Sequence, residues 1–201
     1  FAGTFNVDGA FTFNGDMSSA TVVIGSGGTL GGNGTFGSLI VNGGTLSPGN
    51  SPGTVTTGSL TLTAASTYLV QTTATISDKT IVTGTANIDG RVVVDPLERL
   101  LKRTTYTIVN AGTLNGTFTS ASVAGTSNFA RNAVLSYVGN DVLLTLDPGL
   151  LSPVLSADAS VNNRNVAGGI DTALLGGANM SNAFSAIFNL SGNALQNGLT
   201  Q

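Results

Sequence analysis

The chain has no cysteine, no histidine and no tryptophan, and it is short of charge. Without cysteine there is no disulfide and no thiolate metal site. Without histidine the usual Ser-His-Asp arrangement cannot be assembled. Lys, Arg, Asp and Glu make up only 8% of the 201 residues, against roughly 25% in an average globular chain. The formal net charge is −3, and the seven Lys and Arg are scattered. Strong attraction to nucleic acid needs a basic face, so nucleic acid is excluded as a partner. Long apolar runs are missing as well. Mean hydropathy is +0.30, yet no run approaches the roughly 20 residues of a spanning helix. The best candidate, Val142-Leu143-Leu144-Thr145-Leu146, is stopped by Asp141 and by Asp147-Pro148. The opening residues do not read as a signal peptide, and the chain from Phe1 to Gln201 reads as a piece of something longer.

What is present is glycine, 28 residues of it, with 41% hydrophobic residues. That much apolar content excludes a disordered tail, which pairs low hydrophobicity with high net charge. The surface must then be built of Thr, Ser, Asn and Gly, the polar set of an extended, turn-rich all-β chain. Short β-prone triplets recur up to about Leu146: Val22-Val23-Ile24, Leu39-Ile40-Val41, Leu60-Thr61-Leu62 and Ile81-Val82-Thr83. Their starts lie about 17 to 21 residues apart, a solenoid-like period. Between them come near-identical turns, Gly27-Gly28-Thr29-Leu30, Gly43-Gly44-Thr45-Leu46 and Gly112-Thr113-Leu114-Asn115-Gly116-Thr117-Phe118. The pattern predicts stacked coils, each of three short strands and three turns. A single coil buries too few side chains to offset the entropy of ordering it, so such a chain grows by adding coil to coil.

The rhythm changes after Arg91-Val92-Val93-Val94. In the stretch Asp95 to Arg103, Leu97, Leu100 and Leu101 fall at helical spacing and predict one amphipathic turn. Arg99, Lys102 and Arg103 read as the solvated face of that excursion rather than as a partner patch. Tyr106-Thr107-Ile108-Val109, Val134-Leu135-Ser136-Tyr137 and Val142 to Leu146 follow, the last two joined across a hairpin turn at Gly139-Asn140-Asp141. Antiparallel pairing there would cover an open coil end, which otherwise templates aggregation. Beyond Asp147-Pro148, Val166, Ile170, Ala173 and Leu174 take helical spacing, and so do Phe184, Ile187 and Phe188. Ser181 reads as an N-cap and Gly192 as a stop, while Gly168-Gly169 and Gly176-Gly177 weaken the first helix.

Candidate chemistry is thin. Gly49-Asn50-Ser51-Pro52-Gly53 satisfies the G-x-S-x-G pattern of a nucleophile elbow. The elbow needs a helix after it and a base for the serine. Two prolines flank the serine instead, and the only lysines are Lys79 and Lys102; a turn is the expected reading. Gly31-Gly32-Asn33-Gly34-Thr35-Phe36 matches half of a calcium-binding nonapeptide, but Phe36 stands where a carboxylate ligand belongs. The acids are nine Asp and Glu98, most of them in turn contexts: Asp8, Asp16, Asp78, Asp89, Asp141, Asp147. A lyase-like pairing of Asp78-Lys79 or of Asp89 with Arg91 on stacked coils is the remaining catalytic option. No catalytic, cofactor-binding or metal-binding residue is expected, and no cofactor. Recurrent Asn and Thr could bind glycans, but ladders between coils account for them without a ligand.

Several segments resemble one family. Gly43-Gly44-Thr45-Leu46-Ser47-Pro48-Gly49-Asn50-Ser51-Pro52-Gly53-Thr54 resembles a passenger-associated transport repeat of autotransporters. Ser77 to Ala86 resembles the coil that usually follows it, and Thr104-Thr105-Tyr106-Thr107-Ile108-Val109 the next signature. Asn162-Asn163-Arg164-Asn165-Val166-Ala167 through Ile170-Asp171 resembles the segment leading toward the outer-membrane barrel. The matches cover most of the chain in the family's order. The Asp95–Arg103 excursion departs from the family in being more charged, and the N-terminal part with Phe5, Phe11 and Phe13 is generic.

The resemblance implies an all-β fold, a right-handed parallel β-helix of the pectin-lyase-like solenoid kind with a C-terminal antiparallel cap and a short helical tail. Coils would occupy residues 1–94, an autochaperone-like β cap residues 95–147, and a linker and helical segment residues 148–201. It implies type V secretion: a passenger displayed at the surface of a Gram-negative bacterium and anchored by its own downstream outer-membrane β-barrel. The expected role is a non-catalytic stem and autochaperone-like segment. The alternatives are an adhesin surface for host or bacterial glycans or cells, and a carbohydrate-active or esterase passenger with its active site upstream of Phe1.

Overall fold

Residues 2–125 and 128–200 are described by a computed structural model. The protein is mostly β, with parallel sheets and a few short helices. The first strands are β1 (Gly3–Val7), β2 (Ala10–Thr12), β3 (Asp16–Ile24), β4 (Thr29–Gly32), β5 (Thr35–Val41), β6 (Thr45–Pro48) and β7 (Thr54–Leu62). They continue as β8 (Thr67–Thr72), β9 (Lys79–Ile88), β10 (Arg91–Pro96), β11 (Thr104–Gly116), β12 (Ser120–Val123), β13 (Ala130–Val138) and β14 (Asp141–Pro148). Odd and even strands go to different sheets. One sheet runs β1-β3-β5-β7-β9-β11 before ending on β14 and β13; the other runs β2-β4-β6-β8-β10-β12. Every pairing from β1 to β12 is parallel, and each partner lies two strands away in sequence.

The chain therefore crosses from one sheet to the other at each turn, and the turns are stacked too. The N–H groups of Thr29, Thr45, Thr67, Arg91 and Thr119 donate to the carbonyls of Gly9, Gly28, Gly44, Ser66 and Gly90, each one layer earlier, at 2.7–3.0 Å. Side chains alternate between core and solvent along each strand, as period-two geometry requires, with Leu30, Leu46, Tyr68 and Val92 inward at 0% exposure. These four lie in one register column that begins at Phe11. A second column runs Phe5, Val22, Leu39, Leu60, Ala86, Leu114 in the other sheet. Its step grows from 17 residues between Val22 and Leu39 to 21, 26 and 28 in the later layers. The triplet at Ile81 is consequently out of phase: Ile81 pairs with Thr56, and Ala86 takes the place beside Leu60. The turn between β8 and β9 carries the extra residues that a constant period does not anticipate.

Each layer has two strands rather than the expected three, because the long strand bends in its middle. Gly37, Gly58, Gly84 and Gly112 stand one above another at the bend. A Cβ on Gly58 would meet the Gly37 carbonyl oxygen at 2.5 Å, one on Gly84 the Gly58 oxygen at 2.6 Å, and one on Gly112 the Gly84 oxygen at 2.9 Å. Register shifts between Thr57 and Leu60 and between Ala111 and Thr113 mark the same corner. Gly112 thus belongs to this column within β11, and the Gly112–Phe118 stretch is not a third copy of the Gly27 and Gly43 turns.

At β11 the pairing changes sense. Its C-terminal half pairs parallel with β9, while its first half pairs antiparallel with β14. β14 and β13 form the expected hairpin, closing on Val138 opposite Asp141, with Gly139 at φ = 58° supplying the left-handed residue of the tight turn. Helices follow: α1 (Val161–Leu175), α2 (Ser185–Phe188) and α3 (Gly192–Gly198). Ser160 caps α1 through the Asn163 N–H at 3.1 Å, and the helix runs through Gly168-Gly169 unbroken. It buries Asn163, Ala167, Asp171 and Leu174, whereas Val166 is exposed. Gly192, expected to stop a helix, opens α3 at φ = 53°. Leu151, Ala167, Leu174, Phe188, Leu195 and Leu199 form a second, smaller core. The excursion after Pro96 makes bends and no helical turn.

Candidate functional site

The serine motif folds as a turn. Ser51 is exposed at φ = 64° between β6 and β7, and strand, not helix, follows it. Its Oγ donates to Gln71 Oε1, an amide with no capacity to take the proton away. Around it the polar side chains knit one layer to the next. Asn14 Oδ1 accepts from the Asn33 N–H and the Asn50 Nδ2, both at 2.9 Å, and Asn33 Oδ1 accepts from the Thr54 N–H at 2.9 Å. The nonapeptide-like stretch is spent on this ladder and on the core, where Phe36 is 1% exposed.

Asp78 is fully buried, and each of its oxygens is used. Oδ1 accepts the Gly53 N–H and Oδ2 the Gln71 N–H, both at 2.8 Å. Gln71 Nε2 then donates to Asp95 Oδ2 at 3.1 Å. Burial is the chief cause that pushes the Asp78 carboxyl up to about 6. Asp78 thus clasps a turn, and the described ion pairs, both on Asp147, do not include Lys79. Asp89 Oδ1 takes the N–H of Gly90 in its own turn at 2.7 Å, with Arg91 exposed beyond it. Among the described residues no group of three His, Cys, Asp or Glu is placed to hold a metal ion.

The densest arrangement lies where the parallel layers end. Tyr106 Oη donates to the Thr73 carbonyl at 2.7 Å, and Tyr68 Oη to the Ile108 carbonyl at 2.8 Å while sharing a 2.9 Å bond with Thr80 Oγ1. Tyr137 Oη accepts the Phe118 N–H at 2.9 Å, and the Tyr68 and Phe118 rings stack at 5.6 Å. Burial pushes the Tyr106 hydroxyl up to about 12, so it remains a donor throughout the neutral range. These bonds tie β8, β11, the β11–β12 connection and β13 into one junction.

Beside this junction sits Arg99, and here the sequence reading needs correction. Rather than lying on a solvated face, Arg99 is 1% exposed. Nε donates to the Phe188 carbonyl, and Nη1 donates to the carbonyls of Asn128 at 2.6 Å and Leu150 at 3.1 Å. The Arg99 N–H meets Asn189 Oδ1 at 2.9 Å, and the guanidinium carbon stands 5.3 Å from the Phe129 ring centroid. Burial draws its pKa down to about 10, still charged at neutral pH, with Asp171 opposing the fall. Asp171 in turn accepts the N–H groups of Leu151 at 2.6 Å and Ser152 at 2.9 Å. Lys102 and Arg103 are exposed as expected. A short run holding three basic residues gives no sign of which one turns inward; only the carbonyls gathered from far along the chain decide it. No protein-family model matches the chain, and no curated protein matches it at a significant level.

Proposed function

We propose that the chain is a stretch of a right-handed parallel β-helix that serves as the non-catalytic stem and autochaperone-like segment of an autotransporter passenger. The observation that carries this reading is the in-register stacking of layers across two parallel sheets, ending on the antiparallel pair β14 and β13. A layer in such a stack offers a complete edge of N–H and C=O groups to the next, so a finished layer lowers the cost of ordering its neighbour. The C-terminal layers are then the natural first floor. Their far side is covered by β14, and the outermost strand β13 is interrupted by a register shift beside Asn132, at φ = 54°. Such an irregular edge resists further pairing in that direction.

In this proposal the C-terminal layers reach the cell surface first and fold there. They template the layers behind them, and the folding free energy biases transport outward across the outer membrane. The partner is the passenger's own downstream β-barrel, and no cofactor takes part. The turn and ladder roles of Ser51, Asn33, Asp78 and Asp89 support a chain without catalysis. The test is Tyr106→Asp or Ile108→Asp in the complete passenger. Both side chains are buried at the junction, Ile108 at 0% exposure, and a carboxylate there faces a desolvation cost of several kcal/mol, roughly. Surface display and protease resistance are expected to collapse. Unchanged display with either substitution removes the templating role.

A further inference from the structure

The turn from Gly49 to Gly53 is held by the Asp78 side chain, which takes part in no described ion pair. Asp78 is completely buried, and its two oxygens reach across to Gly53 on one side and Gln71 on the other. Its backbone repeats the grip: the Asp78 N–H donates to the Gln71 carbonyl at 2.8 Å, and the Lys79 N–H to the Gly53 carbonyl at 2.9 Å. Three titratable groups neighbour Asp78 in space or in sequence. Asp95 on β10 is joined to it through Gln71, Tyr68 on β8 is neutral and buried, and Lys79 follows it on β9. The described ion pairs include neither Asp78 nor Lys79. Burial and the neighbouring Asp95 carboxylate both disfavour the charged form, no described ion pair offsets them, and the two N–H groups favour the charged form only in part.

We propose that Asp78 makes the Gly49–Gly53 turn an acid-tightened latch, closed most firmly when its carboxyl is neutral and opening more readily once it ionises. Burial, and after it the Asp95 charge, raise the carboxyl to about 6 in the closed turn from an ordinary value of 3.8, against the downward pull of the two N–H donors. Opening the turn returns the group to water and to its ordinary value. The closed form therefore binds the proton more tightly. Its advantage is complete below about pH 4 and is lost as the pH rises through about 6. Each unit between the two values is a factor of ten in the opening equilibrium, so the full window is worth up to about 100-fold.

The test is amide hydrogen exchange on the whole chain from about pH 4.5 to 7.5, corrected for intrinsic exchange rates. The Gly53 and Gln71 amides are expected to lose at least about tenfold protection as pH rises, with a midpoint near 6. Leu39 and Leu60 amides in the core ladder should hold steady. Asp78→Asn should flatten the profile, and Asp95→Asn should lower the midpoint by removing the neighbouring charge. A flat wild-type profile, or the same profile in Asp78→Asn, overturns the latch. Should Asp78→Asn fail to fold, the wild-type profile decides alone, and protection at Gly53 and Gln71 that does not fall with rising pH overturns it.

Discussion

The stacked sheets and the helical unit are stabilised in opposite ways. In the sheets every layer repeats the contacts of the one before, so Leu39 lies between Val22 and Leu60 in a column that continues to Ala86 and Leu114. In the helical unit nothing repeats. Six buried hydrophobics from Leu151 to Leu199 gather among the described residues, and one guanidinium fastens Phe188 and Leu150 to the loop at Asn128. A periodic core spreads a defect along its columns, whereas a core held by a few non-repeating polar contacts concentrates it at the contact that is lost.

Leu39→Ala breaks the first kind of core and carries the largest expected effect. Leu39 is 0% exposed with large neighbours on both sides, so a cavity remains and the loss is about 3–5 kcal/mol. Denaturant unfolding should register it, together with weakened amide protection in the adjoining layers. Arg99→Met addresses the second kind. It keeps the bulk and removes the side-chain donors, leaving the carbonyls of Phe188 and Asn128 to find new partners while Leu150 keeps the Asn128 Nδ2, at about 2–3 kcal/mol. Limited proteolysis should then cut between α1 and α3 while residues before Pro148 stay resistant. If instead the sheets become sensitive together with the helices, the two regions form one cooperative unit and the contrast fails.

The same contrast governs what could be read from the sequence. Alternation, glycine punctuation and the Gly-Gly-Thr-Leu turns are local signals, and they mark most strands, the hairpin at Gly139 and a helix through Val166 to Leu174, though not its start at Val161. The period failed at Ile81, because residues inserted between β8 and β9 move the register of the next layer without disturbing its composition. Gly112 passes for a turn glycine in the sequence because the close approach it permits is to Gly84 in another layer, out of view of a local pattern. The inward roles of Arg99 and Asp171 are illegible in the sequence for a related reason. Their partners lie from 19 to 89 residues away, and only the folded chain brings those carbonyls and N–H groups to them.

Gly58→Ala sharpens the point about the bend. The added methyl would meet a backbone oxygen at 2.5 Å, and backbone within a hydrogen-bonded ladder yields little. The expected loss is about 2 kcal/mol, read as a lower denaturant midpoint with an unchanged slope. Gly125→Ala has open space for its Cβ but sits at φ = 84°. Its cost is therefore conformational, about 1 kcal/mol, and arises without any clash. Equal losses at the two positions would mean that the column at the bend is looser than its distances state.

The smallest effect is expected on the outer face. Asn115 Nδ2 donates to Asn87 Oδ1 at 3.0 Å, one step of an exposed ladder joining β11 to β9. Water competes for both amides, so Asn115→Ala should cost no more than about 0.5 kcal/mol. A thermal melt within a degree or two of the parent, beside the clear drop for Leu39→Ala, would place the stabilisation of the layers in their buried columns. A loss at Asn115 as large as that at Gly58 would reverse that ranking. The polar rungs would then hold the layers in register, and the stack's outer surface would have less freedom to vary than its composition implies.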